Sequence, residues 1–123
     1  MVQSIIIGQA SVTTAQTART NITGTTGLTA LTATSTDGTR IDSISIQAAA
    51  TTAAGLIFIW LFDGTTSRLM DEISMAGATG SATVPGDYRI KYYQNFNVPP
   101  TYQLFCSTTI TQNMNVFAYG GIF

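Results

Sequence analysis

Residues 39–73 read TRIDSISIQAAATTAAGLIFIWLFDGTTSRLMDEI. At their centre Gly55 is followed by seven apolar residues, Leu56-Ile57-Phe58-Ile59-Trp60-Leu61-Phe62, and Asp63-Gly64 stops the run. A bilayer-spanning helix needs ~20 apolar residues, so the run is too short to cross a membrane. It is rich in β-branched and aromatic residues and closes on a hairpin-type turn, which predicts a strand. Successive strand side chains point to opposite faces. Leu56, Phe58, Trp60 and Phe62 therefore share one face and Ile57, Ile59 and Leu61 the other, and both are apolar. One face can line the core of the domain. The other needs a second cover, either a further layer of the same chain or another subunit. The odd-numbered face, Ile57, Ile59 and Leu61, is the candidate interface, with Tyr93 added from a later strand.

Composition points the same way. The chain has 123 residues, enough for one domain with its own core. Only 11 residues are charged, or 9%, against ~25% in an ordinary soluble domain. Threonine, with 22 residues, takes over part of the task of keeping outer strand faces hydrated. A chain so poor in charge is expected to hide surface in an oligomer, a trimer first and a dimer second.

The five basic residues are scattered and the net charge is −1. No stripe is present to neutralise phosphates, so no nucleic-acid partner is expected. Nor does the sequence contain a basic amphipathic helix for a membrane surface. MVQSIIIGQAS has no basic segment ahead of its apolar residues, so synthesis and first folding are expected in a cytoplasm. The single cysteine, Cys106, suits a reducing compartment and lies in an apolar strand pattern that predicts a buried, inert thiol.

Working outward from the centre, Arg40–Ala48 alternates Ile44, Ile46 and Ala48 against Ser43, Ser45 and Gln47. Ser67–Met75 follows the Asp63-Gly64 turn, with Leu69, Ile73 and Met75 assigned to one face. Tyr88–Phe96 sets Tyr88, Ile90 and Tyr92 opposite Arg89, Lys91 and Tyr93. Pro99-Pro100 interrupts pairing, since proline supplies no ladder donor. Tyr102–Ile110 and Met114–Phe123 complete the C-terminal half, and a short strand is expected near 27–34. Ala49–Ala54 reads as a connection and Gly77–Pro85 as a loop. Residues 1–25 are expected to form an N-terminal arm or edge strand, and residues 26–123 the domain proper. Seven or eight short strands at about ten-residue spacing predict an all-β fold, an antiparallel β-sandwich with jelly-roll-like topology.

Catalytic chemistry finds few candidates. Histidine is absent, which removes the commonest general base and metal ligand. There is no cysteine pair for zinc, no phosphate-binding glycine loop and no nucleophile elbow. Asp71 and Glu72 are adjacent on a strand and point to opposite faces, so they make no dyad. Asp37 and Asp63 precede glycines in turns, and Asp42 is expected to pair with Arg40 or Arg68. No enzyme activity, cofactor or metal is expected. Tyr88, Tyr92, Tyr93, Phe96 and Tyr102 offer either a core or interface face or a platform on which sugars could stack.

The pieces T-R-I-D-S-I-S-I (39–46), T-T-A-A-G (51–55), F-D-G-T (62–65), R-L-M-D-E-I (68–73) and F-A-Y-G-G-I-F (117–123) resemble a family of small tailed-phage virion proteins. The resemblance covers roughly residues 37–123 and carries no catalytic motif. It implies a compact β-domain that decorates or cements a capsid, located on the virion surface with the major capsid protein as partner. A tail- or neck-associated module, structural or receptor- and glycan-binding, is the alternative.

Overall fold

The structure is a computed structural model that describes residues 4–13, 16–48, 54–77, 81, 83, 85–109 and 113–123. Among these residues there are nine strands and no helix. β1 (Ile5–Val12), β2 (Ile22–Thr23), β3 (Thr29–Ala30), β4 (Thr39–Ala48) and β5 (Gly55–Phe62) make up the first half. β6 (Thr66–Met75), β7 (Tyr88–Val98), β8 (Gln103–Thr108) and β9 (Met114–Ile122) make up the second. The expected connection at Ala49–Ala54 and the loop at Gly77–Pro85 lie largely outside the described residues.

The strands form two antiparallel sheets, one in the order β1-β9-β4-β7 and the other β2-β6-β5-β8-β3. With the two-residue β2 set aside, these are the two four-stranded sheets of a jelly roll, wound so that sequence neighbours β4 and β5 lie in opposite layers. The antiparallel sandwich expected from the strand spacing is the observed fold. β1 is the edge strand of the four-stranded sheet and pairs along its length with β9.

The core lies between the sheets. Ile41, Ile44 and Ile46 of β4, with Met114, Val116 and Ala118 of β9, meet Ile57, Ile59, Leu104 and Cys106 of the opposite sheet. Two β-bulges change what simple alternation predicts. In β4 the register shifts between Ile41 and Ser43, so Ile41 and Ile44 both face inward although three positions apart. In the β5–β6 pair, Asp71 lies across from Ile59 but Leu69 lies across from Trp60, which leaves Met70 as the extra residue. Leu69 is therefore on the outer face and not, as expected, with Ile73 and Met75.

The two faces of β5 are both buried, by different means. Phe58 and Trp60 have no exposed surface, yet they face away from the inter-sheet core. Residues 16–24 of the same chain cross over them as a strap. The Gln16 amide donates to the Thr108 carbonyl at 2.8 Å, and the Arg19 guanidinium stacks 5.2 Å above the Phe58 ring while pairing with Glu72 at 2.5 Å. β2 then adds to the edge at Ser67 and Thr66, and the Ser67 hydroxyl donates to the Gly24 carbonyl at 2.6 Å. Underneath, the Trp60 indole N–H donates to the Ser107 hydroxyl at 2.9 Å, so its polar atom is satisfied without water. The second cover for the apolar strand is a layer of its own chain.

Candidate interaction face

That layering moves the candidate interface. Ile57 and Ile59 are fully buried in the inter-sheet core and Leu61 packs against it, so the odd-numbered face of β5 is not available to a partner. The reason is the strap: it seals the even-numbered side from outside, leaving the odd-numbered side to meet the opposite sheet. Tyr93 is half-buried at the margin where β6 and β7 approach each other. Its hydroxyl donates to Asp71 at 2.7 Å, and Lys91 pairs with the other oxygen of the same carboxylate at 2.7 Å. Burial alone would raise the Asp71 pKa, but Lys91 and Tyr93 outweigh it and hold the carboxylate below its usual range. The Tyr93 phenol is pushed up by its burial and by that carboxylate. The cluster clamps one sheet to the other.

The remaining polar groups are also committed to structure. Arg40 grips Asp42 through two hydrogen bonds, of 2.9 and 3.1 Å, and the Ser4 hydroxyl donates to the same carboxylate. The Arg40 contact, aided by Ser4, lowers the Asp42 pKa. Asp63 caps its own turn, accepting from the Thr65 and Thr66 amides, and pairs with Arg68 at 2.6 Å. Those contacts, the Thr66 amide foremost, bring its pKa to about 2. Cys106 is buried in the core, and burial pushes its thiol up to about 12. Among the described residues no group of three or more His, Cys, Asp or Glu side chains could hold a metal ion.

What the fold leaves open is the outer face of the four-stranded sheet. Directly paired residues share a face, so the register defines three rows across the four strands. The first is Ile6, Tyr119, Ser43 and Tyr92; the second is Gln9, Phe117, Ser45 and Ile90; the third is Ser11, Asn115, Gln47 and Tyr88. None of these positions carries a charge. Among the described residues, the exposed large apolar side chains are Ile5, Ile6, Tyr88, Ile90, Tyr92, Ile122 and Phe123. All belong to β1, β7 or the end of β9, hence to this sheet. Tyr88, Ile90 and Tyr92 do share a strand face, but they stand in solvent, with Tyr92 74% exposed, and line no core.

No family model, curated protein or solved structure matches the chain. The likeness to phage virion proteins therefore rests on the sequence pieces over residues 37–123 alone.

Two hollows mark the face. One of about 340 Å³ lies among Ser4, Asp42, Ser43, Ile90, Tyr92 and Tyr119. Another of about 410 Å³ lies among Gln9, Ser11, Asn115 and Phe117, over β1 and β9. Tyr92 and Ser43, a cross-strand pair, both line the first. Sequence alternation exposed the β7 column of this face; the β1 and β9 columns could not be joined to it without the long-range register.

Proposed function

We propose that this chain is a non-enzymatic structural protein of a tailed-phage particle. In this reading it is a cement or decoration protein that self-associates and adds contact area to the shell built by the major capsid protein. The observation that carries the proposal is the asymmetry of the two sheets. One outer face is sealed by the chain's own strap, while the other has three central rows without charge and holds Ile6, Tyr88, Ile90 and Tyr92, four of the seven exposed large apolar side chains. Faces of that kind on small proteins mark contact surfaces. Asp42, Asp63 and Asp71 are tied into a bulge, a turn and the sheet-to-sheet clamp. The phage-like pieces at 39–46, 51–55, 62–65, 68–73 and 117–123 add the context in which such a contact protein would act.

A cement protein lowers the free energy of an assembled shell copy by copy, so a small net gain per copy multiplies over the particle. Particles lacking this chain are expected to assemble at normal size and to burst at lower temperature or under milder osmotic shock than complete ones. A copy number in the hundreds per particle accords with cement. Depleted particles as resistant as complete ones would overturn it. The second reading, a glycan-binding tail or neck module, is favoured by one observation: the free Tyr92 ring beside the Asp42–Ser43 hollow. Six or twelve copies per particle would support that reading instead.

A further inference from the structure

The three uncharged rows of this face have relief. β7 raises a ridge of Tyr88, Ile90 and Tyr92, which are 53%, 37% and 74% exposed. In the next column Ser43 and Ser45 lie on the same outer face yet are only 7% and 2% exposed. They form a trough because the β7 ridge stands on one side and Phe117 and Tyr119 of β9 on the other. The Ser45 hydroxyl lies against the Tyr119 hydroxyl at 3.3 Å, on the wall of that trough. Beyond β9, the β1 column is lower at its second and third rows, with Gln9 and Ser11 beside the hollow of about 410 Å³, while Ile6 stands 56% exposed at the first. Across the sheet the order is ridge, trough, ridge, shelf.

Such a profile is complementary to itself. A two-fold axis running along the strands, between β4 and β9, sets the β9 column against the β4 column and the β7 column against the β1 column. Tyr119 and Phe117 of one copy meet Ser43 and Ser45 of the other. The β7 ridge settles on the β1 shelf, with Tyr88 over Ser11, Ile90 over Gln9, and Tyr92 against Ile6. At the third row the Asn115 amide meets the partner's Gln47 amide, and each can both donate and accept. The three rows contain no charge, and Arg40 and Asp42, next to the first row, are paired with each other. We propose that this face is a self-association surface whose occupant is a second copy of this chain, paired through that two-fold axis.

The area suffices. Four strands at ~4.8 Å spacing and eight residues at ~3.4 Å rise give ~500 Å² of projected face per copy. Two copies then bury ~1,000 Å² or more, the threshold for a specific interface. An isologous contact of this kind closes at two subunits, whereas a trimer needs two different patches per copy. Phe117 and Tyr119 lie next to the axis, and aromatic side chains are enriched in stable interfaces.

The inference rests on reading the face as a contact surface, not on the virion assignment, and it is tested in solution with no shell present. Sedimentation at high micromolar concentration is expected to give twice the 13.0 kDa chain mass. Tyr92→Glu and Phe117→Glu are each expected to give the single-chain mass with an unchanged far-UV circular dichroism spectrum. Gln9 and Ile90 lie on opposite edge columns of one sheet, too far apart to bridge within a chain, but the two-fold axis brings each against the other's counterpart. The double variant Gln9→Cys/Ile90→Cys should therefore form a covalent dimer on mild oxidation, and neither single variant should. A monomeric or trimeric wild type, or a dimer that survives both glutamate substitutions with the fold intact, overturns the pairing. Those outcomes leave the particle-stability experiment untouched, so the two readings fail separately.

Discussion

Ile59 has no exposed surface, and its neighbours are the isoleucines and small residues of the facing sheet. Replacing it with aspartate would place a carboxylate in the inter-sheet core, across from the carboxylate of Asp71, which Lys91 and Tyr93 already engage. An unpaired charge in a dry core costs several kcal/mol, comparable with the whole stability of a small domain. Ile59→Asp is therefore expected to abolish the cooperative urea transition followed by Trp60 fluorescence; a folded variant would show that this side of β5 is not core. Had the odd-numbered face been an interface, the same substitution would have left a folded monomer. The sequence made plain that β5 is apolar on both sides, but not which side meets the opposite sheet. Two apolar faces look alike until the covering layer is known. That layer, residues 16–24, is rich in threonine and small residues, and nothing in its pattern marks Arg19 as a lid on Phe58.

Strands were legible where alternation is uninterrupted, as in β8 and in β7 up to Tyr92, and less so where a bulge breaks the period. β6 shows the effect: the extra residue Met70 sends Leu69 outward while Ile73 stays inward, so a strict count of two misplaces one of them. In β4 the bulge near Asp42 brings Ile41 into the core and leaves Asp42 beside Arg40 at the sheet's end. The strands at that bulge lie very close together. A Cβ on Gly120 would sit 1.8 Å from the Arg40 carbonyl oxygen and 3.2 Å from the Ile41 Cα. Both are backbone atoms that cannot swing aside. Gly120→Ala should therefore force β9 and β4 apart and cost at least about 1–3 kcal/mol, the usual scale of overpacking, read as a lower urea midpoint. Gly64 is the useful contrast: a Cβ there meets nothing within 4 Å, and only its φ of +99° disfavours a side chain. A larger loss at Gly64 than at Gly120 would mean that turn conformation outweighs strand proximity here.

For the molecule as a whole, the sandwich and its all-β character followed from strand number, spacing and turns. The interaction face did not, because each of its rows joins residues up to 113 positions apart, from Ile6 to Tyr119. Stability against pH follows from the carboxylates. Asp42, Asp63 and Asp71 all have folded-state pKa values below their ordinary range, Asp63 at about 2. A depressed carboxyl pKa stabilises the fold above the unfolded value, near 4, and that contribution disappears as pH falls through the folded value. With no histidine in the chain, the urea midpoint should stay level from about pH 5 to 8 and decline between about pH 4 and 2. A sharp loss near pH 6 would contradict this assignment. The position of β9 has a further consequence, for the time course of folding. β9 is last in sequence but sits between β1 and β4, so the middle of its sheet is empty until the ribosome has delivered Met114–Ile122. A nascent chain can pair β5 with β6, but it must hold β1 and β4 apart for the strand that will separate them. The four-stranded layer should form only once β9 is available, in one slow, long-range step.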